Sequence, residues 1–410
     1  MITTRRKLSR RGAIFVAALI LLSGMSVIII ALAHEVALNL RMTEGLVEGD
    51  QALEAAKIGL ENAIYLAGSD VNWRTTYVSG QWIVDKPVGD AKFTVSCVDD
   101  DGNLSDCPID QVAATSTAAY KNTTRTLSAT LSPPPHDALM YLVYAGGGSR
   151  EIKILSDCRI FGDLCAKKVT LDSGTPDHRG NIYAEKADSV SSDLKDADTQ
   201  ALVYQTEPLS PEVDLEWFVS RGSQLTPPVN ASDFLIADKV ISPDSNPYGF
   251  SNANGIYYIR GGRELRITRC HITATIVVLT GKKVYFQEAS VHAPAFPYYP
   301  ALVMSDELYY SFDQNLSESE SGVDFNRDGD TTDVLTPSVS GVVYAKKKLV
   351  GLQSTGGTNV VRFKGVLISD DIQLVGAGCI FEQDASLSTA LINQFQGNGL
   401  RLVPGTMQFK

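Results

Sequence analysis

Twenty-one apolar or small residues run unbroken from Ala13 to Ala33, with Ser23 and Ser26 the only polar groups and no charge between Arg11 and Glu35. As a helix rising 1.5 Å per residue, this stretch reaches roughly 32 Å, close to the ~30 Å hydrocarbon thickness of a bilayer. Arg5, Arg6, Lys7, Arg10 and Arg11 precede it with no acidic residue among them. That asymmetry predicts a cytoplasmic N-terminus and an exported remainder. From His34 to about Ala67 the helical period continues: Leu53, Ala56, Leu60, Ala63 and Ile64 share one face, and Glu54, Lys57 and Glu61 lie elsewhere. Gly45 and Gly49 interrupt it, and they read equally well as a soft joint or as ordinary tolerated glycines.

The period falls to two between Val71 and Leu131. Tyr77-Val78 and Trp82-Ile83-Val84 flank Ser79-Gly80, a hairpin signal, and Ala91–Val98 and Thr123–Leu131 alternate as strands. Ser132-Pro133-Pro134-Pro135-His136 breaks all periodicity and predicts a stiff extended linker. The expected organisation is a basic leader and transmembrane helix over 1–33, a stem helix over 34–68, an α+β region over 69–132, a Pro-rich linker over 133–140 and a mainly-β domain over 141–410.

Within that last segment one pattern recurs: a small residue, two or three apolar or aromatic positions, a polar corner, then a short apolar pair. It occurs at Gly162, Gly180, Gly255, Thr275, Gly341 and Gly365, and apolar residues follow at Val169, Val284, Leu349 and Ile372. Such irregular periodicity predicts a β-solenoid (β-helix) with loops thrown out between turns, and a β-sandwich is the alternative. Leu391–Phe409, with Leu400-Arg401-Leu402-Val403 as a last strand, would close its end.

The N-terminal run admits three readings. One is a plain signal anchor. A second is a cleaved secretory signal, because Ala31-Leu32-Ala33 precedes His34, although the run is longer than the ~7–15 residues of an ordinary signal core. The third rests on Arg10-Arg11-Gly12 directly before Ala13-Ile14-Phe15-Val16-Ala17-Ala18-Leu19, followed by Ala52-Leu53-Glu54-Ala55-Ala56 and Gly59-Leu60-Glu61. In these residues the chain resembles type IV pilin-like proteins, specifically the PilX-type and pseudopilin-K-like minor subunits. The resemblance implies cleavage between Gly12 and Ala13 by a prepilin peptidase. It also implies passage through a bacterial inner membrane, and assembly with other pilin-like subunits through the helix into a pilus or pseudopilus. Most major pilins carry a glutamate five residues into the mature helix, where this chain has Ala17. A carboxylate in a membrane is costly without a partner, so its absence suits an initiating or tip position.

Composition narrows the partners. The 44% hydrophobic and 20% charged fractions are those of a folded protein. The net charge is -11, and the first eleven residues hold five positive charges and no negative one, which leaves the rest near -16. An acidic exported part argues against nucleic acid as a partner. In an oxidising compartment, Cys97 with Cys107 and Cys158 with Cys165 are the expected disulfides, and Cys270 with Cys379 would remain.

One stretch has the makings of a metal site. Asp324, Asn326, Asp328 and Asp330, with the turn glycine Gly329, resemble a calcium loop of the EF-hand or dockerin kind through its first seven positions. Position 12 is Leu335, so Asp333 would have to supply the late acidic ligand. A solvated acidic hairpin is the competing reading. The five histidines show no zinc spacing, and there is no nucleophile elbow, phosphate loop or nucleotide fingerprint. The expectation is therefore a non-enzymatic subunit that presents a β-rich domain for assembly initiation or adhesion to a surface or carbohydrate ligand. A membrane-anchored carbohydrate-binding or polysaccharide-cleaving β-helix protein is the alternative, and Lys346-Lys347-Lys348 with Asp370-Asp371 would be its candidate residues.

Overall fold

The computed structural model describes residues 10–70, 72–147, 150–194, 199–203, 210–353, 361–376 and 378–409, which form two compact units. Arg5, Arg6 and Lys7 lie outside the described residues. The first unit holds the N-terminal part of the chain through Ser132, apart from 107–109, together with Gly399–Lys410. Its helix α1 runs from Arg10 to Ser69 without a break, and no proline occurs before Pro87 to interrupt it. Gly45 and Gly49 are simply helical, so no joint is formed there.

Two halves of α1 have different fates. The large apolar residues from Ile14 to Val47 are exposed, whereas Ala52, Ala55, Ala56, Leu60, Ala63 and Ala67 are buried. The buried face packs on an antiparallel sheet of strands β1 (Gly80–Val88), β2 (Ala91–Val98), β3 (Val112–Tyr120) and β4 (Thr123–Ser132), against Phe93, Val95, Val112, Ala114, Ala118 and Leu127. The small residues set the spacing. A Cβ on Gly59 would sit 2.1 Å from the Ser116 hydroxyl, so only glycine allows helix and sheet this close.

The expected hairpin around Ser79-Gly80 does not form. Trp73–Thr76 makes a helical turn, Tyr77 stacks on Trp82 at 5.0 Å, and Gly80 simply opens β1. Burying these rings together outweighs local strand propensity. A second difference lies at the C-terminus. Leu400 belongs to the first unit's core, Arg401–Leu402 pairs antiparallel with Leu131 and Ser132 of β4, and Gln408–Phe409 pairs with Leu127 and Ser128. The final strands therefore complete the first sheet and do not close the solenoid.

The second unit is an insertion between β4 and those strands. Its entry and exit run side by side: His136 N–H donates to the Phe395 carbonyl at 2.9 Å, and Gly397 N–H to that of Pro134 at 2.8 Å. Ser132–His136 is thus half of a paired stem. Among the described residues, all but one of the strand pairings of the large sheet are parallel, which rules out the sandwich and makes the unit solenoid-like. One ladder runs Ser223, Tyr257, Ile276, Leu302, Val343, Leu367, Val143, Leu164, Ile182, Ala201. A second runs Leu265, Val284, Leu308, Leu349, Ile372, Ile152, Val169. All six sequence motifs fall in the first ladder's strands, and the four following apolar residues fall in the second.

These ladders are permuted. The chain enters at Val143 in mid-stack, winds to Ala201, reappears at the opposite end at Ser223 and winds back until Leu367 meets Val143. Backbone bonds close the seam, among them Leu367 N–H to Leu142 O at 2.8 Å, Arg150 N–H to Asp370 O at 2.9 Å and Arg159 N–H to Cys379 O at 2.9 Å. Each satisfies a strand-edge group that would otherwise need water. Side chains alternate between the interior and an outer apolar layer, which the helix Leu215–Arg221 helps to cover through Phe218.

That alternation overturns the expected disulfides, and all six cysteines are thiols. Cys158 packs in the solenoid interior and Cys165 in the outer layer, on opposite sides of one wall. Cys97 points into the first unit's core between β1 and β3. Cys270 and Cys379 are separated by intervening rungs. Burial pushes Cys97, Cys158, Cys165 and Cys270 up to about 12, which leaves them unreactive as nucleophiles.

Candidate functional site

The first functional element is the helix. Its exposed span is long and apolar enough to cross a membrane, with none of the crossing segment buried in the protein. Gly12 and Ala13 lie in its helical backbone near the N-terminal end. Leaving this much apolar surface in water is unfavourable by roughly 25 cal/mol per Å², so the span requires a lipid or protein partner.

The second is the acidic loop, anchored at its base by Phe325, His271 and Glu318. Phe325 is buried against Ala289 and Leu316, and its carbonyl is contacted by His271 Nδ1. Glu318, in the Ser/Glu run over 317–321 just before the loop, is fully buried. One of its oxygens accepts from Phe325 N–H (2.7 Å) and Asn326 N–H (3.2 Å), and the other from Asp333 N–H (3.2 Å). It thereby gathers both ends of the loop onto one carboxylate. Nothing in the local sequence distinguishes it from Glu320, because only the fold turns one of the pair inward.

Of the five expected ligands, Asp328, Asp330 and Asp333 converge, with one carboxylate oxygen of each within 4.8 Å of the others. Asn326 joins them through its amide nitrogen, 3.1 Å from Asp328 and also bonded to Asp333. Asp324 is turned elsewhere and accepts from the Arg327 and Gly329 backbone N–H groups. Gly329 has φ +99°, the left-handed turn its position calls for. The Asp333 carboxyl lies above the usual range through partial desolvation and then the neighbouring Asp328 charge, whereas bonds from Thr332 hold Asp330 below it. Three oxygen-only, acceptor-only ligands fit a hard cation of the calcium class.

The third element is a cleft of about 620 Å³ on the solenoid. Glu212, Asp214, Tyr344, Lys346 and Asp370 line it among the described residues. Burial raises the Asp370 carboxyl, and Lys346 and Arg150 partly offset that rise. Of the five residues singled out for the enzymatic alternative, Lys346 and Asp370 meet in the cleft. Lys347 instead pairs with Asp306 at 2.9 Å.

No protein-family model matches the chain, and no curated protein matches it. Among solved structures it is similar to the competence-associated pilin ComZ from Thermus thermophilus, at 11% identity over 89% of this chain and 98% of that one. The TM-score is 0.31, too low to carry fold or function across.

Proposed function

We propose that the protein is a non-catalytic, minor pilin-like subunit, held in a bacterial inner membrane by α1 and assembled with other such subunits into a pilus or pseudopilus. The observation that carries the reading is the division of α1. One half is buried on a small antiparallel sheet, and the other is exposed, with an apolar run from Ile14 to Ala33 that carries no charge. A helix built this way exchanges lipid for neighbouring helices without refolding. The missing acidic residue at Ala17 and the bulk of the inserted solenoid favour a tip position, where the solenoid meets a surface or carbohydrate ligand. Sequencing the N-terminus of the full-length protein isolated from cells is expected to give Ala13. A start at His34, or at an uncut Met1, removes the reading.

The loop at Asp328, Asp330 and Asp333 serves in this reading as a calcium-binding corner of the displayed domain. Calcium bound per chain is expected to fall by one equivalent in Asp330→Asn, and an unchanged count rejects that role.

A second reading, a carbohydrate-binding or polysaccharide-cleaving solenoid, draws on the meeting of Lys346 and Asp370 with Glu212 and Asp214. Incubating the protein with acidic polysaccharides, with and without calcium, separates the two. Chain cleavage that is lost in Asp370→Asn would favour the enzyme.

A further inference from the structure

The loop between β2 and β3 holds an acidic group that the fold does not otherwise account for. Asp99 follows directly on Val98, the last residue of β2, and is only 6% exposed. Both of its carboxylate oxygens are inaccessible, and neither has a hydrogen-bond partner. A carboxylate buried this way is tolerated only if it is neutralised, by a proton or by a cation.

Its surroundings favour the cation. One oxygen each of Asp99, Asp106 and Asp110 lies within 4.8 Å of the other two. Asp106 and Asp110 are half-buried, so the cluster opens toward solvent on one side. Main-chain bonds and an apolar anchor help to hold the loop in place. Leu104 is buried as a plug, and Arg74 donates to the backbone carbonyls of Leu104 (3.0 Å) and Asp110 (2.6 Å). Asp101 accepts from Asn103 N–H at 2.8 Å, and Asp106 N–H reaches the Asn103 carbonyl at 3.3 Å. Main-chain bonds and one apolar anchor thus contribute to a loop that brings three carboxylates together around a common point.

We propose that Asp99, Asp106 and Asp110 bind one hard divalent cation of the calcium class. The donors are all oxygen, and neither sulfur nor imidazole belongs to the cluster, so a soft or borderline metal such as zinc is disfavoured. Asp99 is the buried inner ligand. Asp106 and Asp110 close over the ion from the solvent side, and water fills the remaining positions of a six- to eight-oxygen shell. The bound ion ties the end of β2 to the start of β3 across a loop that contributes no strand of its own.

The experiment uses the full-length chain in detergent with Asp330→Asn as background, which keeps the cluster of Asp328, Asp330 and Asp333 from contributing. After chelation, calcium is titrated by equilibrium dialysis. The background is expected to bind one calcium per chain, and Asp99→Asn and Asp110→Asn each to weaken it by at least about tenfold. A ligand role also predicts that calcium-free Asp99→Asn melts at a higher temperature than its calcium-free parent, because one of three crowded charges is gone. A merely structural Asp99 would give a lower one. Circular dichroism checks folding, and if Asp99→Asn fails to fold, Asp110→Asn, on the solvent side, carries the test. A background that binds no calcium, or variants that bind as tightly as it does, would overturn the proposal and leave Arg74 as the counter-charge.

Discussion

A Cβ built on Gly365 would lie 2.0 Å from the carbonyl oxygen of Gly341, its partner in the next rung of the solenoid. The two glycines stack in register, and Gly365 has φ +154°, so the parallel ladder passes this corner only because neither residue has a side chain. Gly365→Ala must push the rungs apart at a place where backbone meets backbone. It is expected to cost on the order of 2–4 kcal/mol of stability, read as a lower urea midpoint of the full-length protein. A midpoint within experimental error of wild type would contradict this account of the corner.

The interior rung at His292 gives the fold a dependence on pH. The imidazole stacks on Phe286 between Ile272 and Val339, with Nε2 3.3 Å from the Ala274 carbonyl. Burial lowers it from 6.5 to about 4. Between those values the unfolded chain holds a proton that the folded one excludes. The stability due to neutral His292 is therefore complete above about pH 6.5 and is lost as the pH falls toward 4. By pH 5 the loss is about 2 kcal/mol, and His292→Phe should lack it. Urea midpoints of the two proteins at pH 7 and pH 5 measure the difference, and parallel behaviour would refute it.

Cys158 and Cys379 lie on adjacent rungs at the seam where the permuted chain closes. Each immediately precedes a member of the Arg159–Ile380 register pair, both side chains lie in the solenoid interior, and bonds from Arg159 N–H to Cys379 O and Gly378 N–H to Asp157 O flank them. Refolding with oxidised glutathione, which accepts the two electrons and is reduced to thiols, is expected to join this pair. Closing so long a loop is worth on the order of 4 kcal/mol. A non-reducing peptide map checks it. Recovery of both cysteines in alkylated form, or of either joined elsewhere, would rule it out.

The sequence by itself determined the features that depend on local period. The charge-free run from Ala13 to Ala33 and the spacing of Leu53, Ala56, Leu60 and Ala63 were enough to specify α1 and its buried face. The small-residue corners from Gly162 to Gly365 pointed to solenoid turns, because each corner repeats the same short-range demand for a tight bend, but they left a β-sandwich open until the strand pairings were known. The convergence of Asp328, Asp330 and Asp333 was likewise written in their spacing around Gly329.

Tertiary structure decided whatever depends on which distant strands become neighbours. The order of the rungs, the return of Arg401–Leu402 to β4 and the placing of Cys158 and Cys379 on adjacent rungs are all set by strand edges finding partners far away in the chain. Sequence separation carries no information about that choice. The inward turn of Glu318 and the burial of Asp99 belong to the same class. An acidic residue looks solvated in sequence, and only the packing of its neighbours determines whether water reaches it.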